Sequence, residues 1–554
     1  MEKGKNFIER IVEEDIKKRS FKTPIRFRFP PEPNGFLHIG HIKAICLNFD
    51  LGKTYGAPVN LRFDDTNPVA EEEQFVEGIK KDVFWLGYKW DKECYASDYF
   101  EELYQWAQKL IEKGLAYVDS QTSSKIAEQK GSPKEPGTES PYRKRRPEEN
   151  QKLFSQMKEG KFREGEHVLR AKINMSSSNM LLRDPVMYRI LYKKHQRTGE
   201  KWCVYPMYDW AHGQSDYIEK VSHSLCTLEF KPHRELYEWF LGALGATLKE
   251  SPKQREFARL NLSYTITSKR KLKKLIDKGF VSGWDDPRMP TISGLRKRGY
   301  TPEALKTFVR KAGVARRENI IELSLLEFCV REHLNKIAPR IMAVLDPIKL
   351  VIENYPVQKR EELLGEINPE DPEKGTRKIP FSKELYIERT DFKEESNKKF
   401  YRLSLGKEVR LKNAYIIKGK KVVKGALGEI KEVICRYDPK SKSGSGTIES
   451  QRKVKGTIHW VSCKEAKKIS VNIYDTLFQV PNPEKDEDFI KHLNPSSLER
   501  VKGLIEPFGA SLGPGERVQF QRLGYFILAQ TSSSKNLVFN KTTDLRETFK
   551  KGNG

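Results

Sequence analysis

The stretch Phe27-Arg28-Phe29-Pro30-Pro31-Glu32-Pro33-Asn34-Gly35-Phe36-Leu37-His38-Ile39-Gly40-His41-Ile42 decides the fold. Ile25, Phe27 and Phe29 alternate with Arg26 and Arg28, the period-two pattern of a strand. Pro30, Pro31 and Pro33 forbid continuation of a ladder, and Asn34-Gly35 supplies a turn. Beyond Leu37, Ile42, Ile45 and Cys46 recur at helical spacing with Ala44 and Leu47 between them, which places a helix start near His38. A strand, a tight turn and a helix N-terminus make a phosphate site, because unpaired N–H groups and the helix dipole face the ligand. His38 and His41 share one face of that helix, and Gly40 between them lets a flat ligand approach the backbone. A core helix with two incidental histidines is the plain alternative, and the position directly behind a strand and turn speaks against it.

Further along, Val59, Leu61 and Phe63 alternate in a second strand that ends at Asp64. Strand, helix and strand at this spacing form a parallel βαβ unit. In open α/β sheets, ligands lie beyond the carboxyl ends of the strands, where Asp64 and His38 both stand. The competing role for Asp64 is a helix cap or a partner for Arg62.

Residues 70–118 read as helix-rich, with Phe84-Trp85-Leu86-Gly87-Tyr88 as an apolar anchor. Gln121 to Arg146 is polar and Pro-rich and reads as an exposed loop, in which Arg143-Lys144-Arg145-Arg146 is a solvated run or a phosphate contact. The mixed stretch up to Pro206 reads as an insertion, after which the α/β pattern resumes. Tyr264-Thr265-Ile266-Thr267-Ser268-Lys269-Arg270-Lys271 is a hydroxyl-rich turn with three adjacent cations ahead of a helix near Leu272. Lysine supplies a mobile point charge suited to a triphosphate, although basic helix starts are common. Thr301, Pro302 and Gly313 mark a helix as N-cap, first residue and stop, and another covers about 318–335. From Pro339 onward short apolar runs with Gly and Pro turns predict β-barrels or sandwiches.

The 554 residues suit about three to five domains with a large core. A hydrophobic content of 37% with 28 Phe and 22 Tyr excludes a disordered chain. The formal charge of +26, from 102 Lys and Arg against 76 Asp and Glu, favours a polyanionic partner, nucleic acid before membrane. Between 401 and 460 cations outnumber acids about three to one, which puts the most basic surface in the β-rich half. No run of 18 apolar residues predicts a membrane span, and the first ten residues lack the apolar centre of a signal peptide. Seven scattered cysteines without a C-x-x-C pair read as reduced thiols, not as disulfides or a zinc site.

His38-Ile39-Gly40-His41 and Ile266-Thr267-Ser268-Lys269-Arg270 resemble the first and second signatures of the class I aminoacyl-tRNA synthetases. The finer resemblance, over almost the whole chain, is to the glutaminyl type within the glutamyl/glutaminyl subfamily. It rests on Arg26–Gly35, Leu61–Pro68, Trp284-Asp285-Asp286-Pro287-Arg288-Met289-Pro290 and Lys407-Glu408-Val409-Arg410-Leu411. The fold this implies is α/β plus all-β. An N-terminal helix (1–24) precedes a Rossmann-type parallel-sheet catalytic domain in two halves (25–99 and 207–260). An inserted acceptor-end domain (100–206), the signature loop with a helical subdomain (261–338) and two anticodon-binding β-barrels (339–554) complete it.

The resemblance implies activation of glutamine with ATP and Mg²⁺, then transfer to the 3′ end of tRNA(Gln), by a cytoplasmic monomer without a membrane partner. It makes His38, His41 and Lys269 catalytic. It lines the ATP site with Glu32, Pro33, Asn34, the run His38-Ile39-Gly40-His41-Ile42-Lys43-Ala44, Thr227, Arg259, Leu260, Thr267, Ser268 and Lys269. Glutamine falls to Arg28, Asp64, Tyr208, Cys226 and Phe230, and the anticodon to Arg340, Arg402, Arg410, Gln519 and Arg522. No protein metal ligands are implied; Mg²⁺ comes with the phosphates. Eukaryote-type glutamyl enzymes carry arginine where this chain has Cys226, so a neutral thiol withholds the cation a glutamate carboxylate needs. Departures from the family pattern are Thr267 in place of methionine, Lys399 in place of glutamine, and Pro133 and Lys231-Pro232-His233 near the acceptor end. The alternatives are a β-barrel glutamyl enzyme charging tRNA(Glu) or tRNA(Gln), a cofactor-making nucleotidyltransferase, and an RNA-binding module.

Overall fold

In the computed structural model, which describes residues 4–69, 72–397 and 399–546, an amphipathic helix α1 (Phe7–Lys17) precedes the opening strand. Its N-terminus is closed by Asn6, which accepts the Ile8 and Glu9 N–H groups while Glu9 accepts the Asn6 N–H. Strand β1 (Phe27–Phe29), helix α2 (Ile39–Tyr55), strand β2 (Val59–Phe63), helix α3 (Glu73–Trp85) and strand β3 (Glu93–Tyr95) follow in order. β1 pairs with β2 and β2 with β3, all in parallel, with Phe27 opposite Val59 and Leu61 opposite Glu93. Every residue of β1 and β2 is buried, as a parallel sheet covered on both faces demands.

The chain forms two units, one up to Asn261 together with Val309–Ile321, the other Leu262–Phe308 together with Glu322 onward. In the first unit, the parallel strands His223–Thr227 and Lys253–Phe257 lie on the far side of β1. Ser222 joins them to it: its N–H donates to the Arg26 carbonyl at 3.0 Å, and its hydroxyl accepts the Arg26 N–H at 2.9 Å. Strands therefore wind outward from β1 in both directions, and the crevice beyond their carboxyl ends is the switch point where such folds bind ligands. An antiparallel sheet of Ala116–Asp119, Val168–Ala171, Val186–Ile190 and Val204–Pro206 interrupts this pattern. It shares a core, including Leu103, Ala107, Phe154 and Met157, with helices Phe100–Glu112 and Pro147–Lys158.

Two sequence expectations change here. The polar stretch 121–146 contains a helix, Ser123–Gln129, which buries only Ile126 and so leaves no periodicity to read. In the expected apolar anchor, Phe84 is 63% exposed and Leu86 alone is fully buried.

In the second unit, helices Lys269–Asp277, Ile292–Arg298 and Leu323–Ile337 lead into two seven-stranded sheets. The helix Pro302–Ala312 begins as expected, with the Thr301 hydroxyl accepting the Ala304 N–H at 3.3 Å. One sheet runs 457–458, 408–411, 416–424, 430–437, 347–352, 384–388, 460–462. Its two edge strands are separated in sequence only by His459, so the sheet curls until its edges nearly meet. The other runs 340–341, 517–520, 524–528, 537–543, 467–474, 498–505, 343–344, and there Met342 alone separates the edges. Both are nearly closed barrels around their own apolar cores, which removes most of the exposed strand edge. Among the described residues no helix is long and apolar enough to cross a membrane.

Gly299 locks the short helix Ile292–Arg298 against the second barrel. It has φ +105°, and a Cβ there would come within 2.3 Å of Thr542 Oγ1 and 3.1 Å of Ile527. We expect Gly299→Ala to lower stability by about 2–3 kcal/mol in urea unfolding; a loss under about 0.5 kcal/mol would contradict this packing.

Candidate active site and nucleic-acid interface

Helix α2 opens with a cap made of imidazoles. His38 is the N-cap, and its Nδ1 accepts the Gly40 N–H at 3.1 Å, while its own N–H donates to Nδ1 of His41 at 3.1 Å. Ring nitrogens thus replace the hydroxyl and carboxylate of the usual reciprocal cap. Because both Nδ1 atoms accept, the neutral rings carry their protons on Nε2. The ring centroids lie 3.9 Å apart at a helix N-terminus, where partial positive charge favours an anion. Gly40 is needed for the cap as well as for ligand approach: a Cβ would come within 2.9 Å of His38 Cε1, with the Leu260 carbonyl 3.6 Å away.

Other expected nucleotide residues make contacts of their own in the first unit. The loop after β1 is tied to the loop after β2 by the Asp64 N–H, which donates to the Pro31 carbonyl at 3.1 Å, and it turns through an Asn34 N–H to Glu32 carbonyl bond of 2.9 Å. Lys43 is buried and donates to the Ala258 carbonyl at 2.6 Å, and burial brings its pKa down to about 8. The structure therefore gives Lys43 a bracing role between α2 and the end of strand Lys253–Phe257. The Thr227 hydroxyl donates to Glu229 at 2.7 Å, and Arg259 lies 3.9 Å from Glu229 and 3.5 Å from Glu318.

Below the turn lies a web of buried charge. Arg28 and Arg62, adjacent strand residues with no exposed surface, converge on Asp216. Arg28 holds it through Nε at 3.0 Å and Nη2 at 3.2 Å, and Arg62 through Nη1 at 2.7 Å. Arg62 Nε also donates to Asp64 at 2.8 Å, and Tyr237 donates its hydroxyl to Asp216 at 3.0 Å. His212 fills the centre, its Nδ1 3.3 Å from Asp64 and its Nε2 3.7 Å from Asp216. Both guanidinium groups also lie 3.1 Å from its ring nitrogens. An imidazole accepts on one nitrogen at most, so the two arginines cannot both donate to it.

The carboxylates decide its state. Burial pushes the His212 pKa down, Asp216 and Asp64 outweigh it, and the result is about 9. Burial likewise pushes Asp216 up, and Arg28 and Arg62 hold it well below the carboxylate range. Arg28, Arg62 and protonated His212 thus face Asp64 and Asp216, with Glu219, whose carboxyl burial pushes up, 3.4 Å from Arg62. On this floor Tyr208 stacks against His212 at 4.9 Å and packs against Phe230 at 5.4 Å, and burial lifts its phenol well above the usual range. Cys226 Sγ lies 3.8 Å from Arg28 Nη2.

In the second unit, Lys269 is the first residue of helix Lys269–Asp277, three residues earlier than the sequence pattern placed the start. Three cations in a first turn oppose the helix dipole, an arrangement an anion offsets. Ser268, the N-cap, makes no side-chain cap. Instead Glu484 Oε1 accepts the Thr267 and Ser268 N–H groups at 2.6 and 3.0 Å, and Lys271 Nζ donates to the Glu484 carbonyl at 3.1 Å. Ile266, Leu272 and Leu275 anchor the turn on Phe478 and Phe489.

Of the expected anticodon residues, Arg340, Arg410, Gln519 and Arg522 lie at or against the barrel seams. Arg340 and Gln519 are register partners where the second barrel closes. Arg340 Nη2 donates to Asn335 Oδ1 at 2.7 Å, and Gln519 Nε2 to the Tyr525 hydroxyl at 2.9 Å. Arg410 pairs with Thr457 at the seam of the first barrel, and its guanidinium is committed to Ser441, Ser443 and Ser450, so it clamps the 441–450 loop. Arg402 and Arg522 line a groove of about 700 Å³ with Lys393, Lys399, Phe400, Tyr401 and Lys455. Tyr401 is 54% exposed and Phe400 half-buried, and aromatic rings among cations are what splayed-out bases require.

Comparison with known proteins finds one family across both units. The model of the class I (E and Q) tRNA synthetase catalytic domain matches residues 24–336, and two anticodon-binding-domain models of the same class match 338–438 and 457–529. The chain belongs to the class I tRNA synthetases of the E and Q family. The synthetase is 52% identical over 551 residues to a glutamine–tRNA ligase of Rhodopirellula baltica, covering 99% of this chain and 91% of that one. It is 52% identical to that of Vibrio parahaemolyticus and 51% to that of Proteus mirabilis, covering 99% of this chain and 98% of each relative.

Sequence reasoning missed His212, Asp216 and Glu484. The first two had a signal, since Tyr208, His212 and Asp216 recur every fourth residue along helix Tyr208–Ile218. Glu484 had none, sitting in a polar Pro-containing loop 217 residues from Thr267. Replacing it with alanine is expected to speed amide hydrogen exchange at Thr267 and Ser268 about tenfold in the synthetase. Unchanged exchange would show that the carboxylate does not hold this loop.

Proposed function

We propose that the synthetase is a glutamine–tRNA ligase that converts L-glutamine and ATP to glutaminyl-adenylate and pyrophosphate. It then transfers the glutaminyl group to the 3′ end of tRNA(Gln), releasing AMP. The observation that carries the reading is the full-length identity of about half with relatives of that name. ATP enters as its magnesium complex, a substrate whose ion neutralises phosphate charge.

The first step needs no general base, because the glutamine carboxylate is already the nucleophile attacking the α-phosphate. Catalysis then consists of positioning and of stabilising charge on the phosphoryl oxygens. The Nε2–H groups of His38 and His41 and the Lys269 ammonium are suited to that charge. Asp64, kept ionised by Arg62 and His212, suits the substrate ammonium. The Tyr208 phenol, held neutral by burial, suits the side-chain amide.

Selection against glutamate follows from the buried web. Cations do stand near Cys226, contrary to the simple expectation that the thiol withholds them, but Arg28, Arg62 and His212 already share Asp64, Asp216 and Glu219 in place. A glutamate carboxylate would enter with no uncommitted partner and lose its hydration.

Charging of tRNA(Gln) transcript with labelled glutamine and glutamate tests this directly. The wild type is expected to charge glutamine alone, and efficient glutamate charging would favour the glutamyl reading. Cys226→Arg is expected to shift the ratio of kcat/KM values toward glutamate by at least about tenfold. An unchanged ratio would contradict this account of selectivity.

A further inference from the structure

Within the β-rich half, Asp391 is a buried carboxylate, 1% exposed, in the short turn that follows strand Glu384–Glu388. Arg522 grips it with both terminal nitrogens, Nη2 to Oδ1 at 2.7 Å and Nη1 to Oδ2. Arg402 Nε approaches the same Oδ1 at 3.2 Å, and Arg402 Nη1 donates to the neighbouring Thr390 carbonyl at 2.9 Å. The Leu403 N–H donates to the Asp391 carbonyl at 3.0 Å, so backbone and side chain of Asp391 both hold the 402–403 segment.

Arg522 is fixed from its other side too. Its backbone adopts φ +69°, a left-handed conformation that a non-glycine residue keeps only when its surroundings impose it. Its Nη1 lies 3.0 Å from Nδ1 of His459, the residue at the seam of the first barrel. Arginine only donates, so His459 Nδ1 accepts and Nε2 carries the proton, 3.5 Å from Glu388. The side chains of Arg402 and Arg522 stay 44% and 33% exposed at the groove while that of their shared partner is buried.

We propose that Asp391 is a positioning residue that couples Arg402 and Arg522 into one reading unit for the anticodon loop. The inference rests on the anticodon role assigned to the two arginines and goes beyond it. Two like charges on flexible stems would otherwise separate. A carboxylate between them sets the spacing and the planes of both guanidinium groups before RNA arrives, which reduces the ordering cost of binding. The two readers then act together: removing their common partner blurs discrimination without deleting either donor.

The test uses the full chain with tRNA(Gln) transcripts carrying the natural anticodon or one replaced anticodon base, and measures binding by fluorescence anisotropy. Asp391→Asn is expected to weaken binding to the natural transcript about tenfold and to narrow its advantage over the replaced ones. In an Arg402→Ala/Arg522→Ala background the same substitution is expected to do nothing further. Equal weakening for every transcript, or the same loss without the two arginines, would overturn the proposal. Should Asp391→Asn not fold, as judged by its thermal midpoint, Arg522→Lys removes the two-point grip and is expected to narrow the advantage equally; an unchanged advantage overturns the proposal. A wild type that cannot distinguish the transcripts overturns the anticodon reading and this proposal together. A wild type that can, with an unchanged ratio in Asp391→Asn, overturns the proposal alone.

Discussion

Two arginines in the middle of neighbouring parallel strands impose the constraint on which the catalytic unit depends. A buried guanidinium costs several kcal/mol unless carboxylates meet it with good geometry. Arg28 and Arg62 sit on β1 and β2, and Asp216 reaches both from helix Tyr208–Ile218, so one ionic cluster fixes how that helix lies across the sheet. His212, one turn earlier, is drawn in as a third cation. The sign of its linkage follows from the raised pKa: its stabilising contribution is fully present below pH 6.5 and is lost as pH rises through about 9. The same cluster forms the floor beneath Tyr208 and Cys226, so the groups that hold the sheet together also set the charge around those two side chains.

A second constraint shapes the β-rich unit. Each barrel closes by bending one stretch of chain at a single residue, Met342 or His459, so that its two halves serve opposite edges of one sheet. Closure points of this kind have irregular ladders and expose side chains that a regular strand would bury or align. Arg340, Gln519, Arg410 and Arg522 all lie at or against these seams. The architecture that removes sticky edges is therefore also the one that gathers planar donors at its seams.

Much of this was readable in the sequence. The alternation of Phe27 and Phe29, the three prolines and the spacing of Ile42, Ile45 and Cys46 locate β1 and α2, since local sterics and periodicity suffice there. The helix at Lys269 was misplaced by three residues because its cap is a distant backbone contact with Glu484, not a side chain next door. Helix Ser123–Gln129 was unreadable, since it buries one residue. Glu484 and Asp391 are ordinary acids in sequence and acquire meaning only through long-range pairing. Arg28 and Arg62 stand out in sequence only as the polar members of alternating runs, and nothing local shows that both are entirely buried.

The protonation state of His212 bears most directly on the central claim that the pocket floor is a closed set of opposed charges. Selective ¹⁵N-histidine NMR on the full chain, with His212→Gln identifying the resonance, reads it as pH is varied. The account predicts an imidazolium that persists through neutral pH and titrates near 9. A ring that titrates at or below 6.5 would mean that Asp64 and Asp216 do not hold a third cation, and the web as described would be wrong.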